Sequence, residues 1–521
     1  MSEGEGARVE TASHCYDDSV EEGVWRYATV ERASVIVDAE DYFLHMQQAL
    51  MAARSRAFLI GWDFDTRIHL TQGRRWWQRL YRRGPPRRLG SFIGWLVRKN
   101  PDLDVRILKW SVTILQFLLR GTMLWDILRW ARHKRITFKF DQAHPLGCSH
   151  HQKIAVLDDR LAVCGGIDMT DRRWDTRDHF AVDNRRRGVN RRLYGPWHDA
   201  TMMLEGEAAT ALAEIGHQRW ERAGGGELKR IAPSKDSLWP EKLAVQFENV
   251  ELGIARTRAN YEDCCQIREI EALFKRHIRD ARHFIYAESQ YFASRLVSEA
   301  ILARLKEDDP PEIVIVHPAR ADGWLEQKAM DTARAELVRV LRAADKHEQF
   351  SLWMPYVGET AIYVHAKLMI VDDRILRIGS ANLNNRSMGL DSECDVFIDA
   401  GRAGNGQATG AISALRHSLL AEHLALEEGV VSDLLKECGS MKALIQKSED
   451  RDGRHLRRYS PPDLTDAERK LAQSEVLDPE RPDEMFEPFA RGGLFRAGTR
   501  LANMRKRLHW RRSPQASEES A

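Results

Sequence analysis

From Ser34 to about Leu426 the chain alternates short apolar runs with longer stretches whose apolar residues recur at helical spacing. Runs such as Ala57-Phe58-Leu59-Ile60, Val105-Arg106-Ile107-Leu108 and Phe284-Ile285-Tyr286-Ala287 read as strands. Residues 41–56, 89–98, 207–222, 266–282 and 325–344 read as helices. Strand and helix in alternation predict an α/β fold. Two runs, Ile154-Ala155-Val156-Leu157 and Leu368-Met369-Ile370-Val371, are apolar at every position, as strands covered on both faces are. A Gly-, Pro- and Ser-rich stretch opening at Gly224-Gly225-Gly226 interrupts the pattern. The expected organisation is a leader over 1–23, a first lobe over 24–223, a linker over 224–243 and a second lobe over 244–426. A helical and increasingly basic tail follows over 427–521.

The two fully apolar strands share a frame. One is preceded by His151-Gln152-Lys153 and ends at Asp158, the other by His365-Ala366-Lys367 and ends at Asp372. Each copy reads His-x-Lys-x4-Asp, and each leads through a second apolar run to small residues, Gly165-Gly166 and Gly379-Ser380. Residues two apart on a strand share a face, so each histidine turns with its lysine. A repeated frame predicts two similar halves that each give one histidine and one lysine to a common site. Two imidazoles and two ammonium groups suit a phosphodiester. The lysines neutralise the phosphate oxygens, one histidine attacks phosphorus, and the other passes a proton to the leaving alcohol. The lysines supply the positive charge, so this chemistry calls for no metal and no cofactor. Asp158 and Asp372 lie about 16 Å further along an extended strand than the lysines, and are expected to tie down loops.

Charge refines the picture locally. The formal balance is only +2, so the chain as a whole favours no polyanion. Arginines cluster at 185–192 and at 491–512, where they suit an anionic membrane surface. No aromatic platform interleaves with them, which argues against nucleic acid. Seven cysteines in no metal-binding spacing suggest free thiols. No signal peptide or uninterrupted apolar span is visible, so the expected location is cytoplasmic and peripheral to the inner membrane surface. Residues 110–130, broken by Gln116, Arg120 and Asp126, read as an amphipathic helix. No protein partner is predicted.

With its two His-x-Lys-x4-Asp motifs, the chain resembles the phospholipase D superfamily. His150-His151-Gln152-Lys153 followed by Gly165-Gly166-Ile167-Asp168 is similar to the first motif of eukaryotic-type members and their bacterial relatives. Gly379-Ser380-Ala381-Asn382 with Asp391-Ser392-Glu393 is similar to the second, and Pro196-Trp197-His198-Asp199 and Glu288-Ser289-Gln290-Tyr291-Phe292 also match, with Ser289 replacing the usual Asn. The resemblance implies two pseudo-symmetric α/β/α lobes with mixed sheets and the active site between them. It implies His151 as nucleophile and His365 as general acid and base. The carboxylates that orient the histidines map to Asp183, four residues after His179, and to Glu393, assigned to His365. Ser380, Asn382, Gly166 and Asp168 map to the phosphate pocket. The implied activity is cleavage of glycerophospholipid head groups through a phosphohistidine, with water or an alcohol as acceptor. A cardiolipin synthase or other phosphatidyltransferase is the alternative, and a nucleic-acid phosphodiesterase a more distant one.

Overall fold

The computed structural model describes residues 19–70, 84–110, 121–262, 264–320, 324–448, 453–466, 478 and 498–505. Most of the leader, part of the arginine-rich stretch before 88, residues 111–120 and nearly all of the basic tail lie outside the described residues. The first half contributes β1 (Arg26–Val37), β2 (Arg56–Gly61), β3 (Asp104–Trp110), β4 (Ile136–Asp141), β5 (Ile154–Leu157), β6 (Leu161–Gly165), β7 (Trp197–His198) and β8 (Ala200–Gly206). The second contributes β9 (Phe247–Arg258), β10 (Ile267–Arg268), β11 (Phe284–Ser289), β12 (Glu312–Val316), β13 (Phe350–Val357), β14 (Thr360–Ala361), β15 (Tyr363–Val364), β16 (Lys367–Val371), β17 (Ile375–Gly379) and β18 (Glu393–Asp399). A last strand, β19 (Arg454–Arg458), follows the helices Glu428–Cys438 and Met441–Lys447 and pairs with β13, so the region after 426 is not purely helical.

The pairings repeat. β4, β3 and β2 are parallel neighbours, and β2, β5, β6, β8 and β1 follow antiparallel. In the second half β13, β12 and β11 are parallel, and β11, β16, β17, β18 and β9 follow antiparallel. β1 and β9 pair antiparallel, Arg26 opposite Ile254, and join the two series into one mixed sheet.

The motif strands show why their sequence carries no polar position. Ile154 and Val156 of β5 and Leu368 and Ile370 of β16 enter one central apolar cluster, shared with the helices Glu207–Trp220 and Ala408–Leu424. Ala155 and Leu157 pack outward in the first half, Met369 and Val371 outward in the second. Each buried Val, Leu or Ile removes about 1.5–3 kcal/mol of apolar exposure. That pins the strand, and with it the His and Lys at its start.

Each motif strand ends in a turn whose two central residues are both left-handed. These are Asp158 and Asp159 (φ 51° and 48°) and Asp372 and Asp373 (φ 55° and 50°). Aspartate tolerates this conformation better than most residues with a Cβ. The cysteines divide. Cys148, Cys164, Cys394 and Cys438 are free thiols, but Cys265 is in a disulfide, so the all-thiol expectation fails there. No helix among the described residues is long and apolar enough to cross a membrane.

Candidate active site

Each motif histidine is held by a short segment of the opposite half. The backbone N–H of His151 donates to the Ser392 carbonyl (2.9 Å), and the next residue, Glu393, places both carboxylate oxygens 3.1 Å from His151 Nδ1. The backbone N–H of His365 donates to the His198 carbonyl (2.7 Å), and the next residue, Asp199, places Oδ2 2.7 Å from His365 Nδ1. The two arrangements repeat each other: a carbonyl anchors the backbone, and the following carboxylate takes the ring. β7 and β15 pair in parallel (His198 opposite Val364), which brings His198-Asp199 alongside His365. An isolated parallel bridge between His150 and Ser392 does the same for the other histidine.

This pairing corrects two sequence-based assignments. Glu393 orients His151, not His365. Asp183 orients neither. It accepts from the backbone N–H and guanidinium of Arg185 (2.7–3.1 Å) on an exposed loop. Arg185 holds the Asp183 carboxyl below its ordinary range, first through the side-chain hydrogen bond. The residue overlooked was Asp199. Its signal was present in the Pro196-Trp197-His198-Asp199 stretch, where the carboxylate directly follows a segment able to pair with the second motif.

The small residues pack against the orienting carboxylates. A Cβ on Gly166 would stand 2.1 Å from Asp199 Oδ1, so Gly166 is the floor under that carboxylate. Ser380 Oγ donates to Glu393 Oε2 (2.5 Å), and Ser387 Oγ donates to Oε1 (2.7 Å). Ser380 therefore also serves the orienting carboxylate. Asp168 Oδ2 lies 3.5 Å from Lys153 Nζ, and the Asn382 side-chain oxygen is buried without a hydrogen-bond partner. Asp158 accepts from the backbone N–H groups of Arg54, Ser55 and Arg56 (2.7–2.8 Å). Asp372 accepts from those of Arg282, His283 and Phe284 (2.7–2.8 Å). Both aspartates tie the entry of a neighbouring strand to the motif turn, away from the histidines.

The two lysines fold back on their own motifs. Lys153 Nζ donates to the His151 carbonyl (2.7 Å), and Lys367 Nζ donates to the His365 carbonyl and to Gln290 Oε1 (3.1 Å). All four motif groups act on one another. Burial pushes the His151 imidazolium well below the ordinary histidine range, helped by Lys153 and Lys367. Burial does the same to His365, with Lys367 next in importance. Burial also brings Lys367 down to about 7, against Asp199 and with Lys153. It lifts Glu393 to about 8, against the Ser380 hydrogen bond. Trp62 meets the His151 ring edge-on, with centroids 6.4 Å apart. Trp197 lies 5.1 Å from His365, stacked on Tyr363 and covered by the Arg173 guanidinium. Neutral imidazoles in apolar walls, with buried cations beside them, are equipped for nucleophilic and proton-transfer chemistry on an anion.

Comparison with known proteins agrees with the motifs. Residues 344–474 match the family model described as Phospholipase D, and residues 274–406 match that of Cardiolipin synthase, PLD-like domain. Phospholipase D A of Dictyostelium discoideum is 24% identical over 68% of this chain and 31% of its own length. Phospholipase D1 of Saccharomyces cerevisiae is 22% identical over 80% and 30%, and Phospholipase D alpha 1 of Carica papaya 25% over 53% and 49%. The chain thus spans about a third to a half of the length of these relatives. A solved phosphatidylserine synthase from Haemophilus influenzae aligns over 81% of this chain and 96% of its own at 13% identity and a TM-score of 0.48. The duplicated His-x-Lys motif and the matches to the two family models and to the phospholipase D sequences make the chain a member of the phospholipase D superfamily of enzymes.

Proposed function

We propose that the chain is a phospholipase D-type phosphodiesterase acting on glycerophospholipids, with a site formed between two pseudo-symmetric α/β/α lobes. The crossed arrangement, Glu393 on His151 and Asp199 on His365, carries this reading. Each carboxyl group accepts the Nδ1–H and leaves Nε2 for the chemistry. His151 Nε2 attacks phosphorus and the head-group alcohol leaves, taking a proton from His365 Nε2. A bound phosphodiester brings negative charge next to His365 and restores the proton that burial disfavours. His365 then draws a proton from water or an alcohol, which displaces the phosphatidyl group from His151. Lys153 and Lys367 neutralise the non-bridging oxygens throughout. An alcohol acceptor turns the same cycle into phosphatidyl transfer.

The loop at 180–193 supports lipid as substrate. It exposes Phe180, Val182 and Leu193 (45–74%) beside the exposed arginines 185, 187, 191 and 192. Buried Arg186 stiffens it by gripping Asp175 and the Ala181 carbonyl. Leu193 is six positions before Asp199, which keeps that tip within about 20 Å of the site. Apolar tips among arginines fit an anionic phospholipid surface.

The test is vesicle turnover of phosphatidylcholine, phosphatidylethanolamine and phosphatidylglycerol, with and without ethanol. Wild type should release a head group from at least one lipid and form phosphatidylethanol. His151→Ala and His365→Ala should each lose about 10³-fold or more. If all three lipids stay intact, the reading fails.

A further inference from the structure

We propose that Asp38, His179, His198 and Glu422 form a binding site for one divalent d-block cation of the zinc class, buried between the two halves of the molecule. Asp38 sits at the junction of β1 and the helix Ala39–Ala52, His179 on a loop, His198 on β7 and Glu422 on the helix Ala408–Leu424. All four are at least 96% buried. One possible ligand atom from each of the four lies within 4.8 Å of the others. The separations are 3.0 Å from His179 to Glu422, 3.4 Å from His179 to Asp38 and 2.7 Å from His198 to Glu422. Four ligands about 2.0–2.1 Å from a tetrahedral ion stand roughly 3.3 Å apart, so the side chains need move only a little.

What distinguishes the cluster from an ordinary ion pair is how the remote atoms are fixed. His179 Nδ1 is on Asp175 (2.9 Å) and His198 Nε2 on Glu288 (2.7 Å), so each imidazole gives its far nitrogen to a carboxylate. That arrangement sets the tautomer of a metal-binding histidine and strengthens its donor nitrogen. Glu422 Oε2 is held by Arg177 Nε (2.5 Å), and Asp38 Oδ1 accepts the Asp199 backbone N–H (3.1 Å). One atom of each group faces the common centre, where His179 Nε2 and Glu422 Oε1 hydrogen-bond to each other when no ion is bound. Two of these, Asp38 Oδ2 and His198 Nδ1, are buried without a hydrogen-bond partner although possible partners stand 2.7–3.4 Å away. They are directed between their neighbours rather than at any one of them.

Charge is compatible with an ion. Asp38, Asp175, Glu288 and Glu422 bring four carboxylates, and Arg177 and Arg186 answer two. The rest is balanced by one divalent ion on two neutral imidazoles or, without it, by the protonated imidazoles of His179 and His198, which their carboxylates favour. Two nitrogen donors of four favour zinc-like ions over calcium or magnesium, which prefer oxygen.

The test is metal binding itself, independent of lipid turnover. The full chain, stripped with a chelator, is titrated with zinc and with cobalt(II). We expect one equivalent of zinc per chain, the intense visible absorption of tetrahedral cobalt, and a melting temperature that rises with the logarithm of free zinc. His179→Gln and Glu422→Gln should abolish all three while leaving the circular dichroism of the fold. If a variant does not fold, the wild-type titrations decide alone. No bound zinc, a faint octahedral cobalt spectrum, or binding that survives both substitutions overturns the proposal.

Discussion

Glu393, on the second half of the chain, closes its carboxylate on Nδ1 of His151, on the first half, and two serines, Ser380 and Ser387, hold the carboxylate in place. The exchange is mutual, since Asp199 of the first half holds His365 of the second. Neither half holds both a motif histidine and the carboxyl group that fixes it.

Replacing the orienting carboxylates is expected to cost far more than replacing Asp183. Glu393→Gln and Asp199→Asn should each lower turnover by roughly 10²–10⁴-fold, because the amide no longer fixes the Nδ1–H tautomer. Asp183→Asn, which touches only Arg185, should stay within about threefold of wild type. Turnover numbers of the three variants under saturating lipid check this. A large loss at Asp183 together with a small one at Asp199 would reverse the assignment.

How much of this was visible in the sequence can be judged from these same residues. The duplicated motifs and the α/β rhythm were legible because periodicity and spacing are local. The crossing was not. His365 has Glu393 28 positions downstream on its own half, and that proximity along the chain pointed to the wrong partner. The true partner, Asp199, is 166 positions away and reaches His365 only through the β7–β15 pairing. Asp183 looked suitable by its spacing after His179, but Arg185, two residues on, takes its carboxylate. The motif match named Gly166 and Ser380 but did not show that they pack against the orienting carboxylates.

Lys367 sets a pH dependence. Lys367 loses its proton near 7 in the folded protein, against an ordinary value of 10.5. As pH rises through about 7 the site loses one positive charge, so affinity for phosphate-like anions should weaken. The unfolded chain keeps that proton up to about 10.5, binds more protons than the folded one across this window, and stability should rise with pH there. Inhibition by orthovanadate, measured from pH 6 to 9, should weaken in wild type, and the part of that weakening centred near pH 7 should be missing in Lys367→Met. An equal slope in both would remove Lys367 as the cause.

The motif aspartates should behave as structural groups. Asp158→Ala leaves three backbone N–H groups without their carboxylate and should lower stability by about 2–3 kcal/mol in urea unfolding. Asp372→Ala should cost less, because its site is partly exposed. The folded fraction of each variant should retain turnover. If well-folded Asp158→Ala lost activity like His151→Ala, the aspartate would belong to the chemistry.

The exposed loop makes a separable prediction. Changing Phe180, Val182 and Leu193 together to serine should weaken sedimentation with anionic vesicles at least tenfold. Hydrolysis of a soluble short-chain phosphodiester should stay unchanged, since none of the three touches the histidines. Equal loss on both substrates would show that the loop shapes the site instead of docking it.

The central claim is that His151 carries the covalent bond and His365 moves the proton. It is tested most directly by acid-quenching the enzyme within its first turnovers on a labelled phospholipid and mapping the labelled peptide by mass spectrometry. The label is expected on His151, absent from His151→Ala, and accumulating in His365→Ala when the substrate has a leaving group that needs no proton. A label on His365, or full turnover with no labelled histidine, would contradict it.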